Sequence, residues 1–120
     1  LRFLKHIERT RVIVHLIDLS GALAADTPEA GGELLWESYE QINHELAHFS
    51  EFVGSKPQVI ALTKAETVPA ELLDGVMEVF GRRGLSPLPI SSVTGQGLPV
   101  LLGLIERTLG QEDGVRVSNG

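Results

Sequence analysis

Residues 12–19 read Val-Ile-Val-His-Leu-Ile-Asp-Leu, a nearly continuous apolar run of strand length that is rich in β-branched side chains. A strand with one face in water alternates apolar and polar residues, and this run does not. Such a run is typical of a strand covered on both faces, as in a parallel sheet with helices on either side. This segment therefore constrains the chain to a layered α/β fold.

Helical patterns alternate with strand-like runs along the rest of the chain. Apolar residues recur at steps of three and four over residues 35–53, which predicts one long amphipathic helix. In chain order we expect the end of a helix in residues 1–10, strands at 12–19, 58–63 and 88–90, a loop from Ser20 to Gly32, and helices at 35–53, 69–81 and 98–109. Strands separated by helices imply right-handed crossovers, so the predicted fold is three-layer α/β with a three-stranded parallel sheet.

The length of the chain, 120 residues, fits one small domain. We assign residues 1–110 to that domain and expect residues 111–120, which show no periodic pattern, to be a frayed tail or linker. The sequence starts at Leu1, without an initiator Met and in the middle of a pattern. We therefore expect it to be a piece of a longer protein.

Composition excludes several classes of function. Ten basic against sixteen acidic residues give a net charge of −6, which argues against a partner such as DNA, whose phosphates attract clustered Lys and Arg. The absence of cysteine excludes disulfides, thiolate zinc sites and thiol nucleophiles. No apolar run approaches the ~20 residues of a membrane span, so no membrane partner is expected.

Polar side chains follow each predicted strand, at the end of a parallel sheet where ligands bind. The second strand runs into Thr63-Lys64-Ala65-Glu66, and the third into Ser91-Ser92-Val93. The first of these resembles the guanine-recognition motif Asn/Thr-Lys-x-Asp of GTPases, and the second resembles their Ser-Ala-x motif. Either motif alone also fits a solvated turn at a helix entrance. Their order at consecutive strand ends favours guanine recognition.

The resemblance assigns a role to each residue of the two motifs. The carboxylate of Glu66 would accept hydrogen bonds from the imino and amino groups of guanine, which adenine cannot donate together. The stem of Lys64 would lie along the face of the base, and Thr63 would tie neighbouring loops together. A backbone N–H of the segment Ser91, Ser92 and Val93 would meet the guanine carbonyl oxygen.

Four longer stretches resemble the Obg family of bacterial GTPases, namely residues 2–20, 39–46, 56–64 and 89–98. The resemblance covers about residues 1–110. It implies the C-terminal half of a Ras-like P-loop GTPase domain, with GTP or GDP as ligand and Mg²⁺ as cofactor of the complete domain. It also implies a cytoplasmic parent protein that hydrolyses GTP and assists assembly of the large ribosomal subunit.

The chain departs from the family pattern in two ways. Glu66 stands where the motif usually has Asp, and Ser92 stands where it usually has Ala. No Gly-x-x-x-x-Gly-Lys-Ser/Thr loop occurs, so nothing here can hold the nucleotide phosphates or their metal. We therefore expect no catalytic and no metal-binding residue in this segment. Asp18 and Gly21 spell Asp-x-x-Gly, but we interpret them as a strand end entering a turn.

Two alternatives remain open. The first is a non-catalytic interaction module that keeps the shape of a GTPase. The second is a receiver-like domain with Asp18 as phosphoacceptor and Thr63 as switch residue, although Ser91 stands where that fold needs Lys. A metal site at His44 and His48 lacks a third ligand, so we interpret them as part of a solvated helix face. We expect His15 to make a hydrogen bond in the core.

The run 12–19 also carries a prediction about association. In the Ras-like strand order it would lie beside the phosphate-loop strand, which this chain lacks. An open strand edge presents unpaired N–H and C=O groups to any other chain. We therefore expect self-association through residues 12–19.

Overall fold

The computed structural model describes residues 12–49, 57–109 and 115–119. Its strands are β1 (Val12–Asp18), β2 (Gln58–Thr63), β3 (Leu88–Pro89) and β4 (Val115–Asn119), and its helices are α1 (Pro28–Phe49), α2 (Ala70–Gly81) and α3 (Leu98–Leu109). Two short 3-10 helices cover Leu19–Ala24 and Ala65–Thr67. The helix predicted in residues 1–10 and the predicted end of the long helix at 50–53 lie outside the described residues.

The four strands form one parallel sheet in the order β3-β2-β1-β4. Helices α1 and α2 cover one face, where their side chains pack on Ile17, Ile60 and Leu62. Helix α3 covers the other face, where Leu101 packs with Val14 and Ala61. The predicted α/β class with a parallel sheet between helix layers is confirmed, and the burial of β1 on both faces explains its continuous apolar run.

The predicted number of strands is wrong, because the chain adds a fourth. Residues 115–119, which we expected to be part of a frayed tail, form β4 and pair with β1 from Val12↔Val115 to Leu16↔Asn119. The physical reason is that β1 is buried on both faces and exposes backbone groups on its open side, which a further strand satisfies.

This pairing also overturns the prediction about association. Strand β1 lies between β2 and β4 and is not an edge of the sheet. The prediction of self-association through residues 12–19 requires an open strand edge, and β1 has none in this sheet. The sheet edge on this side is β4 instead.

The loop predicted from Ser20 to Gly32 is also shorter than expected. Helix α1 begins at Pro28, and the hydroxyl of Thr27 accepts a hydrogen bond from the N–H of Ala30 at 3.1 Å. A Thr cap followed by Pro is a favoured helix start. Gly31 and Gly32 are therefore helical residues rather than loop residues.

These helical glycines allow α1 and α2 to approach closely. A Cβ atom on Gly32 would lie 2.6 Å from Cγ2 of Val79, and one on Gly75 would lie 2.5 Å from Cβ of Pro28. Real Cβ atoms do not come so near, so any larger residue would push the two helices apart.

Among the described helices, none combines the length and the apolar character that a membrane crossing requires.

His15 makes the predicted hydrogen bond in the core. It is fully buried on β1, and its Nδ1 lies 3.3 Å from Oε1 of Gln58, whose amide nitrogen donates to Asn43. The ring centroid of Tyr39 lies 5.1 Å away. Burial lowers the pKa of His15 from its ordinary value of 6.5, although the bond to Gln58 acts in the opposite direction.

We expect Gly32→Ala to destabilise the fold by about 1–3 kcal/mol, because the added methyl group overpacks the contact between α1 and α2. The matched control is Gly103→Ala in α3, where a Cβ meets no atom within 4 Å. It should be neutral or stabilise by up to about 1 kcal/mol. Urea unfolding of both variants measures this. Equal stability of the two variants would contradict the packing argument.

We also expect stability to fall as the pH drops below 6.5, because the unfolded chain then binds a proton at His15 that the folded chain does not. Above that pH the ring is neutral in both states, so protonation of His15 no longer affects the free energy of unfolding. Urea unfolding measures the free energy of unfolding at about pH 7.5 and about pH 5.5. The difference between the two values should be smaller for His15→Gln than for the wild type. His44→Gln, which alters an exposed ring, should leave that difference unchanged. If His15→Gln loses as much stability between the two pH values as the wild type does, the pH dependence does not come from His15.

Candidate functional site

The carboxyl ends of β1, β2 and β3 meet at one edge of the sheet and bring the two predicted motifs together. The N–H of Ile90 donates to the carbonyl of Leu62 at 2.8 Å, and the N–H of Ala65 donates to the carbonyl of Ile90 at 3.0 Å. These two bonds join the turn that follows β2 to the turn that follows β3. The sequence prediction placed both motifs at consecutive strand ends, and the structure places them side by side.

The first motif forms a tight turn at the end of β2. The hydroxyl of Thr63 donates to the carbonyl of Ile17 on β1 at 3.4 Å. Lys64 follows with a φ of 61°, the only positive φ of a non-glycine residue in the described chain. A left-handed backbone costs roughly 1–2 kcal/mol for such a residue. Thr67 holds it in place, because its N–H and hydroxyl both donate to the carbonyl of Lys64, at 2.9 and 2.7 Å.

Glu66 lies in the short 3-10 helix of this turn and is exposed to solvent. Because the backbone on either side of it is hydrogen-bonded, its carboxylate is carried on a fixed support. An exposed acid on a fixed turn can accept hydrogen bonds from a ligand without prior rearrangement of the backbone.

The second motif forms a turn that is fixed from within. Ser91 is fully buried, and its hydroxyl oxygen accepts a hydrogen bond from the N–H of Thr94 at 3.1 Å. Its own N–H donates to the carbonyl of Gln96 at 3.0 Å. Ser92 is exposed, and Val93 is 78% exposed. The exposed residues Ser92 and Val93 are therefore carried on a turn that is hydrogen-bonded from within.

Asp18 joins the site from β1. Its Oδ2 lies 3.0 Å from the ammonium nitrogen of Lys64, and its Oδ1 accepts bonds from the N–H and hydroxyl of Ser20, at 2.9 and 2.7 Å. The hydroxyl of Ser20 is the main cause that lowers the pKa of Asp18, and Lys64 acts in the same direction. Asp18 ends β1 and starts a 3-10 turn, as interpreted from the sequence.

The contact between Asp18 and Lys64 was missed in the sequence. The signal that would have revealed it is the register of the sheet, in which Asp18 pairs with Thr63. In parallel strands the residues after a matched pair are also neighbours, so an acid at one strand end meets a base at the next. Sequence alone does not give that register.

No group of three His, Asp or Glu side chains that could hold a metal ion occurs in residues 12–49, 57–109 and 115–119. His44 and His48 are exposed, with ring centroids 6.5 Å apart on α1. They lie on a solvated helix face.

The chain is similar to several curated bacterial proteins, although no protein-family profile matches it. It is 41% identical over 104 residues to the GTPase Obg of Lachnoclostridium phytofermentans, which covers 83% of the chain and 22% of that relative. It is 37% identical over 103 residues to the GTPase Obg of Syntrophus aciditrophicus, covering 85% of the chain and 28% of the relative. It is 36% identical over 108 residues to the GTPase Obg of Alkaliphilus oremlandii, covering 89% of the chain and 23% of that relative.

The chain thus spans about a quarter of the length of these relatives, while they cover most of the chain. The parallel sheet with helices on both faces agrees with part of a P-loop GTPase-like fold. Similarity and fold lead to one conclusion. The chain belongs to the Obg family of GTPases.

Proposed function

We propose that this chain forms the C-terminal half of an Obg-type GTPase domain, with β4 as one of its strands, and that it recognises the guanine base of GTP or GDP. The observation that carries the proposal is the hydrogen bond from the N–H of Ala65 to the carbonyl of Ile90, 3.0 Å long. It holds the turn with Lys64 and Glu66 against the turn with Ser92 and Val93. Guanine recognition needs a carboxylate and a backbone N–H on neighbouring supports, and this bond provides that arrangement.

Each residue has a separate task in this proposal. Glu66 accepts hydrogen bonds from the imino and amino groups of guanine. The stem of Lys64 lies along the base, and Thr63 ties β2 to β1 through its bond to Ile17. A backbone N–H within residues 91–93 meets the guanine carbonyl oxygen, and Ser92 and Val93 are exposed residues of that turn.

The activity of the longer protein is part of the same proposal. It binds GTP with Mg²⁺, hydrolyses it and assists assembly of the large ribosomal subunit in the cytoplasm. The name of the relatives, GTPase Obg, supports the GTPase activity, and the resemblance to the family is the basis for Mg²⁺, ribosome assembly and the cytoplasm. These 120 residues contain no Gly-x-x-x-x-Gly-Lys-Ser/Thr loop, so the proposal assigns the phosphate and metal sites to other sequence of the longer protein.

A non-catalytic interaction module is the second candidate. It is favoured by one observation, namely that Glu66 replaces the Asp usual in the guanine motif. The extra methylene group lengthens the reach of the carboxylate. The receiver-like alternative has less support, because the Lys that meets Asp18 comes from the end of β2, and Ser91 follows the predicted strand 88–90 where that fold needs Lys.

We expect Glu66→Ala in the longer protein to lower the preference for GDP over ADP at least about tenfold. A charged carboxylate that accepts two hydrogen bonds contributes a few kcal/mol, and its loss leaves two donors of the base unpaired. Glu66→Asp should keep or raise the preference, because it restores the usual residue of the family. Calorimetric titration of both nucleotides gives the two dissociation constants for each variant.

The matched control is Glu71→Ala, which removes another exposed acid from the first turn of α2. It should leave the ratio of the two constants unchanged. A wild-type ratio in Glu66→Ala, or a wild-type protein that binds neither nucleotide, would show that this turn does not recognise guanine. The interaction module would then be the better explanation.

We further expect the 120-residue chain alone not to hydrolyse GTP. Phosphoryl transfer depends on groups that position the phosphates and stabilise their charge, and no phosphate-binding loop occurs in this sequence. A phosphate-release assay should show no turnover above buffer. Turnover that disappears in Lys64→Ala would prove this expectation wrong.

A further inference from the structure

The ion pair between Asp18 and Lys64 lies at the surface, beyond the ends of β1 and β2. The two side chains are 42% and 58% exposed, yet Nζ and Oδ2 lie only 3.0 Å apart. Exposed ion pairs contribute little to stability, because water screens the charges and two side chains lose freedom. Stability is therefore a poor explanation for this pair.

Both residues of the pair are also held in place by contacts other than the ion pair. Ser20 donates two hydrogen bonds to Oδ1 of Asp18, which leaves Oδ2 for Lys64. The backbone of Lys64 is fixed by the two bonds from Thr67 to its carbonyl. A carboxylate and a backbone that are both restrained give the Lys64 side chain one preferred direction.

That direction follows from the sheet order β3-β2-β1. Asp18 ends β1, so it draws the Lys64 ammonium towards β1 and away from the turn that follows β3. Glu66 is the acid closest to Lys64 along the chain, two positions later in the same turn. An ammonium released from Asp18 would be attracted to Glu66.

We propose that Asp18 is a positioning residue for guanine recognition, which keeps the Lys64 ammonium off Glu66 and so leaves the Glu66 carboxylate available to the base. The inference rests on the proposed function of the turn. Asp18 touches no ligand in this role. It acts on selectivity through Lys64.

The direct test is Asp18→Asn in the longer protein. Asparagine has the same shape and keeps an oxygen that accepts the bonds from Ser20, but it carries no charge. Calorimetry with GDP and with ADP should show GDP affinity falling about tenfold while ADP affinity changes less. The ratio of the two constants therefore falls.

A second variant separates competition from simple loss of a charge. In Asp18→Asn combined with Lys64→Met, the apolar stem remains but no ammonium is left to occupy Glu66. The GDP to ADP ratio should recover towards the wild-type value. A ratio that stays as low as in Asp18→Asn alone would overturn the proposal.

The control for exposed charge is Glu29→Gln, which breaks the 3.1 Å ion pair with Arg82 on the helical face. It should change neither affinity. Glu29→Gln should unfold at the wild-type urea concentration, and Asp18→Asn should stay folded but unfold at a slightly lower one, because the ionised carboxylate accepts two bonds from Ser20. An unchanged GDP to ADP ratio in Asp18→Asn would overturn the role of Asp18.

Failure of the proposed function gives a different result. If the wild-type protein binds neither nucleotide, guanine recognition itself is wrong. Nuclear magnetic resonance of the ligand-free 120-residue chain then decides the local claim. The Lys64 ammonium group should give a sharp signal in the wild type and an exchange-broadened one in Asp18→Asn. An identical signal in both would also refute the claim that Asp18 holds the Lys64 ammonium group in place.

Discussion

The parallel pairing of β1 with β2 is the interaction on which the rest of the structure depends. It aligns Ile13 with Gln58 at one end and Asp18 with Thr63 at the other. A shift by one residue would turn the buried side chains of one strand towards the wrong helix layer, so the core fixes the register. The same register sets which polar groups meet beyond the strand ends. Packing in the core thus determines the geometry of the site.

The helix layer over this pair combines close approach of the two helix backbones with a cluster of aromatic side chains. Gly32 of α1 and Gly75 of α2 let the two helix backbones come near each other. Phe80 of α2 fills the space next to Trp36 and Tyr39, with ring centroids 5.4 and 5.9 Å from theirs. The two helices are also joined at the surface by the contact of Arg83 with Glu33. The turn before α2, which carries Glu66, is therefore attached to a well-anchored helix.

The sequence allowed the fold class and both motifs to be predicted, because long apolar runs and strand-end polar residues are local signals. The start of α1 was missed because Gly31 and Gly32 were interpreted as loop residues, although Thr27 and Pro28 carried a helix-start signal. The fourth strand was missed because five residues with no long apolar run become a strand only beside an open partner. The partner of Lys64 depends on register, which no local pattern encodes.

The position of β4 has a consequence for the order of folding. Strands β1 and β2 are joined by one helical crossover, whereas the partners Val12 and Val115 lie about 100 positions apart. Closing so long a segment costs more chain entropy than closing the shorter one, and distant pairings form slowly. The sheet should therefore assemble outwards from β1 and β2, with β4 docking last. During that interval the outer side of β1 is free to accept any compatible strand.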